Sequence, residues 1–372
     1  MTTAQTEFTA VELLEDHAIA EPLEAGGVRC HGGFDDTGRY VSPRTKNRWP
    51  AIEAWEEQRR AQFATPILDV PLETWPENFP NVAQSKLLIS SGAPQPIISA
   101  LTRIGTVEGF GAMLRHLPVP DFPAAFDEDI TGTATDHVGR GLFEAHARDE
   151  SGFGDQAGHD RMWFVARDIA FEHPPTEDQR ARMLARMGID PRPKTAAELE
   201  SLRRSAMDRR VLPDAIDFTL ETVVGRMIGL LLIEISAFHG FRWAEEVLGD
   251  RELVAGDGAA ATLVSYIRAD ETPHVAYLRT ALSEMRDRTW IGNDGRRYAG
   301  TDMIGLLWDR ALQDSLLVRR QDNLQFVMAE IDEALAGRPD ADDLVEEVLA
   351  LGAVVRAPDG TLSEPSRPLP PD

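Results

Sequence analysis

Asp270, Glu271 and His274 put two carboxylates and an imidazole within five residues. They lie in a stretch, 259–288, whose apolar spacing predicts a helix. Residues three apart leave one helix face together, so Glu271 and His274 can bind one metal ion. Asp270 and His274, four apart, offer the same chemistry by an alternative pairing. Tyr277, three residues beyond His274, projects near the same face. A phenol there could bond a ligand carboxylate, supply an electron or fill the core.

Glu234 interrupts a run, 227–238, that is otherwise almost wholly apolar. A helix apolar nearly all round is buried, and a charge at its centre needs compensation. A metal would provide that, and so would an arginine; Arg226 and Arg242 stand about two turns away on either side. Glu108 falls on the inner stripe formed by Ile97, Leu101 and Ile104, with Gly109 and Gly111 beside it. His239, five residues after Glu234, is off the Glu234 face and reads as a core histidine or a partner of a ligand.

These residues need elements to align them. The periodicity predicts helices over 9–19, 50–63, 95–117, 134–171, 176–187, 196–208, 215–248, 259–288, 301–335 and 342–351, with a hairpin over 353–362. Pairing the four long central helices as two antiparallel hairpins puts Glu144 level with Glu108, and Glu271 with Glu234. The separations, 36 and 37 residues, are nearly equal. The second histidine is open: His146 could be turned inward by a π-bulge. Alternatively Gly152, Gly154 and Gly158 break the helix, and Asp155 pairs with His159. The reading prefers His159, which gives a donor set of Glu108, Glu144, His159, Glu234, Glu271 and His274.

The rest of the chain divides into an irregular wrapping segment (1–93), the helical region (94–290), C-terminal helices with a short hairpin (291–362) and a disordered proline-rich tail (363–372). Cys30-His31 could bind metal, but nothing nearby in the sequence completes a site. A formal charge of −24 argues against nucleic-acid partners and anionic membrane surfaces. No secretory signal or membrane-spanning run is read, and one cysteine fits a reducing, cytoplasmic setting. Phosphate-binding loops and nucleophile elbows are absent from the sequence.

The order Glu108, Glu144, Glu234 and Glu271-x-x-His274 on long helices resembles the ferritin-like diiron-carboxylate superfamily. The Asp-x-x-x-His spacing of Asp155/His159 and Asp270/His274 is similar to heme-oxygenase-like dimetal oxidases. The first resemblance implies an all-α fold: a four-helix bundle with the N-terminal segment wrapped around it and extra C-terminal helices. It also implies two iron ions, manganese being the alternative, with O₂ as co-substrate. The expected activity is oxidation of a small organic molecule with an electron donor, by a cytoplasmic protein that could form a homodimer. The competing expectation is a metal-free helical scaffold, in which Glu108 and Glu234 each meet an arginine.

Overall fold

The computed structural model describes residues 5–172, 174–186, 188–190 and 194–364. The chain is mostly helical, as its periodicity predicts. The N-terminal region is more ordered than its turn-rich composition suggests. Residues Ala10–Leu13 form only one helical turn. A three-stranded antiparallel sheet follows: β1 (Glu21–Ala25), β2 (Val28–Phe34) and β3 (Tyr40–Val41), in that order. Gly26 and Gly27, both at positive φ, make the two-residue turn between β1 and β2. Helix α1 (Arg48–Gln62) then packs across the central bundle.

The central helices begin with α2 (Gln95–Glu108), which tightens into a 3₁₀ segment, Gly109–His116. Whereas the sequence is expected to contain no run long and apolar enough, by length and hydropathy alone Gln95–His116 could cross a membrane. Here it buries Ile97, Ile98 and Leu101 in the core. The helix predicted over 134–171 is broken. One turn (Ala134–His137) passes through a π-helical turn (Val138–Leu142) into α3 (Phe143–Ser151), and α4 (His159–Ala170) follows a loop. Two shorter helices, Glu177–Arg186 and Ala196–Met207, lead to the longest element, α5 (Phe218–Leu248). Met187, predicted to end the first of these two, lies outside the described residues. The Asp217 carboxylate caps α5 by accepting from the Leu220 amide at 3.0 Å. Helix α6 (Ala259–Arg286) runs beside it.

A two-stranded hairpin, β4 (Thr289–Ile291) with β5 (Arg297–Ala299), was not legible in the sequence. The helix expected over 301–335 is α7 (Gly300–Gln313) and α8 (Arg319–Leu335) joined by a π-helical turn. Residues Ala341–Ala350 are helical, and Val355–Arg356 pairs with Leu362–Ser363. Ser363, assigned to the tail, is thus part of a strand; residues 365–372 lie outside the described residues.

The apolar interior is in two parts, and the boundary falls at the same level on every ligand-bearing segment. On α5 the first core takes Leu220 through Ile235 and the second takes Phe241 onward. On α6 the second core ends at Ile267 and the first resumes at Ala276. Leu101 and Leu114 straddle the boundary on the first segment, as do Ala147 and Met162 on α3 and α4. A layer of buried polar side chains occupies the space between.

Candidate metal centre

That layer contains His146, Asp149, Glu150, His159, Glu234, Asp270, Glu271 and His274, each at most 5% exposed. Helix α6 supplies its donors by simple spacing. Glu271 Oε2 lies 2.5 Å from His274 Nδ1, and Glu271 Oε1 lies 2.7 Å from His159 Nδ1. Glu150 Oε1 is 3.3 Å from His274 Nδ1, 3.4 Å from His146 Nε2 and 3.5 Å from His159 Nδ1. Glu234 Oε1 stands 3.3 Å from His146 Nε2. Glu108, half-buried, accepts from the Trp163 indole N–H at 3.1 Å.

The donor atoms fall into two overlapping groups, in each of which all lie within 4.8 Å of one another. One is His146, Glu150, Glu234 and His274; the other is Glu108, Glu150, His159 and Glu271. Glu150 belongs to both.

Two of the three histidines are hydrogen-bonded through the far nitrogen, and the third faces a carboxylate there. His274 Nε2 is 2.9 Å from Asp149 Oδ2, and Asp149 is itself clasped by Arg44 and Arg48, with Arg48 Nη1 at 2.8 Å. His159 Nε2 faces Asp270 Oδ2 at 3.5 Å, and Asp270 accepts from the Tyr40 hydroxyl at 2.8 Å. His146 Nδ1 is bonded to the Tyr277 hydroxyl at 3.0 Å. A neutral ring that donates from its far nitrogen presents the other lone pair to the centre and is fixed in orientation. The arrangement is crossed: the aspartate preceding Glu150 bonds the histidine of α6, and the aspartate preceding Glu271 faces the histidine of α4.

The electrostatics are those of a site that wants cations. Burial, and then Glu108, push Glu234 up to about 8; burial, and then Glu234, push Glu271 up to about 7. Glu150 is raised well above the usual carboxylate range by burial, Glu271 and Glu108. Burial drives His146 down to about 3 and lowers His274, so both rings are neutral. For His159 burial works downward, but Glu271, Asp270 and Glu150 hold it well above its usual value. Burial alone would raise Asp149; Arg44 and Arg48 keep it well below the carboxylate range. Four glutamates crowd together with no lysine or arginine paired to Glu150, Glu234 or Glu271 among the described residues. His146 Nε2, Glu150 Oε1, His159 Nδ1 and Glu271 Oε1 are buried, aimed inward and without a hydrogen-bond partner. Orphaned lone pairs of this kind carry a desolvation cost that metal coordination would remove. Four carboxylates would balance the charge of two divalent ions, His146 and His274 are neutral donors, and His159 would become one on giving up its proton; the residues therefore fit a metal pair.

Of the sequence-predicted donors, Glu108, His159, Glu234, Glu271 and His274 meet in this layer, and Glu144 does not. Glu144 lies outside it, half-buried, 2.7 Å from Arg148 and 3.5 Å from Arg115. Glu144 would be level with Glu108 only if both segments rose as α-helix throughout. A 3₁₀ segment of eight residues is about 4 Å longer than its α equivalent, and a π turn adds a residue, so the level on α3 shifts to Glu150. Asp155 is also excluded: it is exposed and pairs with Arg29 at 3.3 Å. The two histidine candidates were not alternatives, since His146 and His159 both face the centre. Arg226 and Arg242 do not reach Glu234; both are exposed, and Arg242 pairs with Glu246. His239 bonds the Leu72 carbonyl at 3.0 Å, away from the centre.

Glu150 and Asp149 were missed, although a signal existed. Asp149-Glu150 repeats the dipeptide Asp270-Glu271, but the histidine follows nine residues later instead of three. The additional residues form the loop between α3 and α4. Its ends touch so closely that a Cβ on Gly158 would stand 2.1 Å from the Gly152 nitrogen. The Ala157 amide donates to the Arg29 carbonyl at 2.8 Å, anchoring this loop to β2. Strand β2 also brings His31 beside His159, ring centroids 5.4 Å apart. Burial, then the Arg44 charge, keep His31 well below the usual histidine range, so the ring is neutral. His31, His159 and Asp270 form a third group of donors on the far side of His159, which the Cys30-His31 step alone did not reveal.

No protein-family model matches this chain, nor does any curated protein or solved structure match it. What the centre does must be argued from its geometry.

Proposed function

We propose that the chain is a non-heme dimetal oxidase or oxygenase, with iron as the preferred metal and manganese as the alternative, acting on a small organic substrate with O₂. The observation that carries this reading is the pair of donor groups sharing Glu150, with unpartnered lone pairs converging between them. Carboxylate and imidazole donors without thiolate suit iron or manganese, and inward-facing ligands on facing helices resemble a ferritin-like bundle. When bound, an iron pair supplies the redox chemistry with O₂, which protein side chains do not provide.

The chain's own residues would set geometry and access. Asp149 with Arg44 and Arg48 would hold His274 and Tyr277 would hold His146, while Asp270, bonded by Tyr40, supplies a facing charge to His159. The apolar cores above and below exclude water from the layer. Glu108 is the most exposed of the donors. Asp270 sits behind His159 rather than in either donor pair, which favours the Glu-x-x-His reading over the heme-oxygenase-like one. A metal-free scaffold needs arginines on Glu108 and Glu234; these residues face Trp163 and His146 instead.

Elemental analysis after anaerobic loading with Fe(II) tests the reading. The expected result is about two irons per chain, followed by O₂ uptake on exposure to air. Absence of bound metal after loading overturns it.

A further inference from the structure

Three of the four tyrosines stand around this centre. Tyr277 is confined to the interior, bonded to His146. Tyr40 and Tyr266 instead form a stack, ring centroids 4.2 Å apart and planes within 18° of parallel, with Phe34 packed edge-on against both. The Tyr40 hydroxyl donates to both Asp270 oxygens, at 2.8 and 3.0 Å. Asp270 faces His159 Nε2 at 3.5 Å, and His159 Nδ1 faces Glu271 at 2.7 Å. A chain of contacts therefore runs from the donor layer through His159, Asp270 and Tyr40 to Tyr266, which is half-buried where α6 meets the N-terminal sheet.

This arrangement matches what one-electron transfer through phenols requires. A phenol gives up an electron readily only when its proton leaves at the same time, and the Asp270 carboxylate accepts a hydrogen bond from Tyr40 at the needed distance. A second ring in face contact allows the hole to move outward without a further hydrogen bond. We infer that Tyr40 and Tyr266 are an electron conduit by which a one-electron donor at the protein surface reduces the buried centre. The inference rests on the proposed function, because the oxidant is the metal pair after its reaction with O₂.

In each transfer Tyr40 passes one electron inward past His159 and its proton to Asp270. The Tyr40 phenoxyl takes an electron from Tyr266, which releases its proton to solvent, and Asp270 returns its proton to Tyr40. Tyr266 is refilled by the external donor and regains a proton from solvent. The donor is oxidised by one electron, the centre is reduced by one, and neither tyrosine changes overall.

The test uses the full chain loaded with Fe(II), oxidised by O₂, and then mixed anaerobically with a reduced plant-type ferredoxin. A protein donor of that size cannot enter the layer. Tyr40→Phe and Tyr266→Leu are each expected to slow reduction by about tenfold or more, equivalent to roughly 1.4 kcal/mol of barrier. Metal content should match the wild type. Without donor, electron paramagnetic resonance should show a tyrosyl radical after O₂ addition. It should be lost in Tyr40→Phe and longer-lived in Tyr266→Leu, where it cannot be refilled. Unchanged reduction rates and radical signals in both variants overturn the conduit and leave the proposed function standing. If Tyr40→Phe sheds metal, Tyr266→Leu decides alone, since the Tyr266 hydroxyl bonds no ligand or ligand partner. A wild-type protein that binds no iron removes both ideas together.

Discussion

The two halves of the centre supply similar donors by different means. On α6, Asp270, Glu271 and His274 come from one unbroken helix, so the three-residue rule alone places the carboxylate and imidazole side by side. On the other half the same roles fall to Asp149, Glu150 and His159, separated by a helix end and a glycine loop. A 3₁₀ segment and a π turn set the depth at which those residues meet the centre. The first half is held within one continuous helix, although Pro273 removes one rung of its backbone ladder. The second is held from outside, by β2 docked on the loop and by Arg44 and Arg48 on Asp149. Metal geometry can therefore be reached through local periodicity or through long-range bracing, and only the former is visible in a sequence.

If Glu150 is shared by both groups, Glu150→Ala should remove both metals, whereas Glu144→Ala should leave the metal-to-protein ratio at the wild-type value. Elemental analysis of the two variants side by side decides it, and a Glu150→Ala protein that retains both ions breaks the assignment.

The bracing aspartates should differ in the same direction. Asp149→Asn leaves two buried guanidiniums without a counter-charge, a loss of roughly 3–5 kcal/mol. Asp270→Asn disturbs one hydroxyl and one imidazole and should cost about 1–3 kcal/mol. Urea unfolding of the metal-free proteins measures both; equal losses would mean that the arginine clasp adds nothing.

The pH dependence tests the shared layer. Glu271 and Glu234 titrate at about 7 and about 8 when folded, above the usual glutamate value of 4.5, so the folded state binds more protons than the unfolded chain. Their contribution is fully present below about 4.5 and is lost as pH rises through 7 to 8. Metal-free protein should accordingly lose stability across that window, and metal-loaded protein should not, because the ions replace the protons. Melting curves taken with and without Fe(II) check the sign; parallel behaviour would contradict the coupling.

Loop geometry gives a smaller contrast. Gly158→Ala forces a Cβ against the Gly152 backbone and should cost roughly 2 kcal/mol while weakening the His159 side of the centre. Thr272→Ala, at an exposed position between Glu271 and His274, should stay within about 0.5 kcal/mol. Tyr277→Phe removes a single buried hydrogen bond to His146, about 1 kcal/mol, with both metals retained.

These contrasts also explain what the sequence could reveal. Glu234 stood out because a carboxylate in an apolar helix has few explanations, and Glu271 with His274 because an unbroken helix converts spacing into contact. Glu150 stayed hidden because its depth depends on two departures from α-helical rise. Arg44 and Arg48 reach Asp149 from more than 100 residues earlier in the chain, and no local pattern records that pairing. The β1–β2–β3 sheet was read as loops, since its glycines mark turns as readily as strand ends.

The division of the interior into two apolar cores has a mechanical consequence. Helices α5 and α6 cross the boundary like tie rods, but the plane between the cores contains crowded carboxylates instead of interlocking methyl groups. Without ions this plane is expected to open before the apolar cores, since Glu234 and Glu271, both raised above the usual glutamate value, have no lysine or arginine paired to them among the described residues. With ions it becomes a riveted joint, since each metal would be held by side chains from several helices at once. Loading should therefore change how the protein comes apart: metal-free, the two cores can loosen separately, and amides of Glu234 and Glu271 exchange earlier than those of Val224 or Val247. Metal-loaded, the same amides should exchange only with the whole, and the two oil-like blocks then behave as one body.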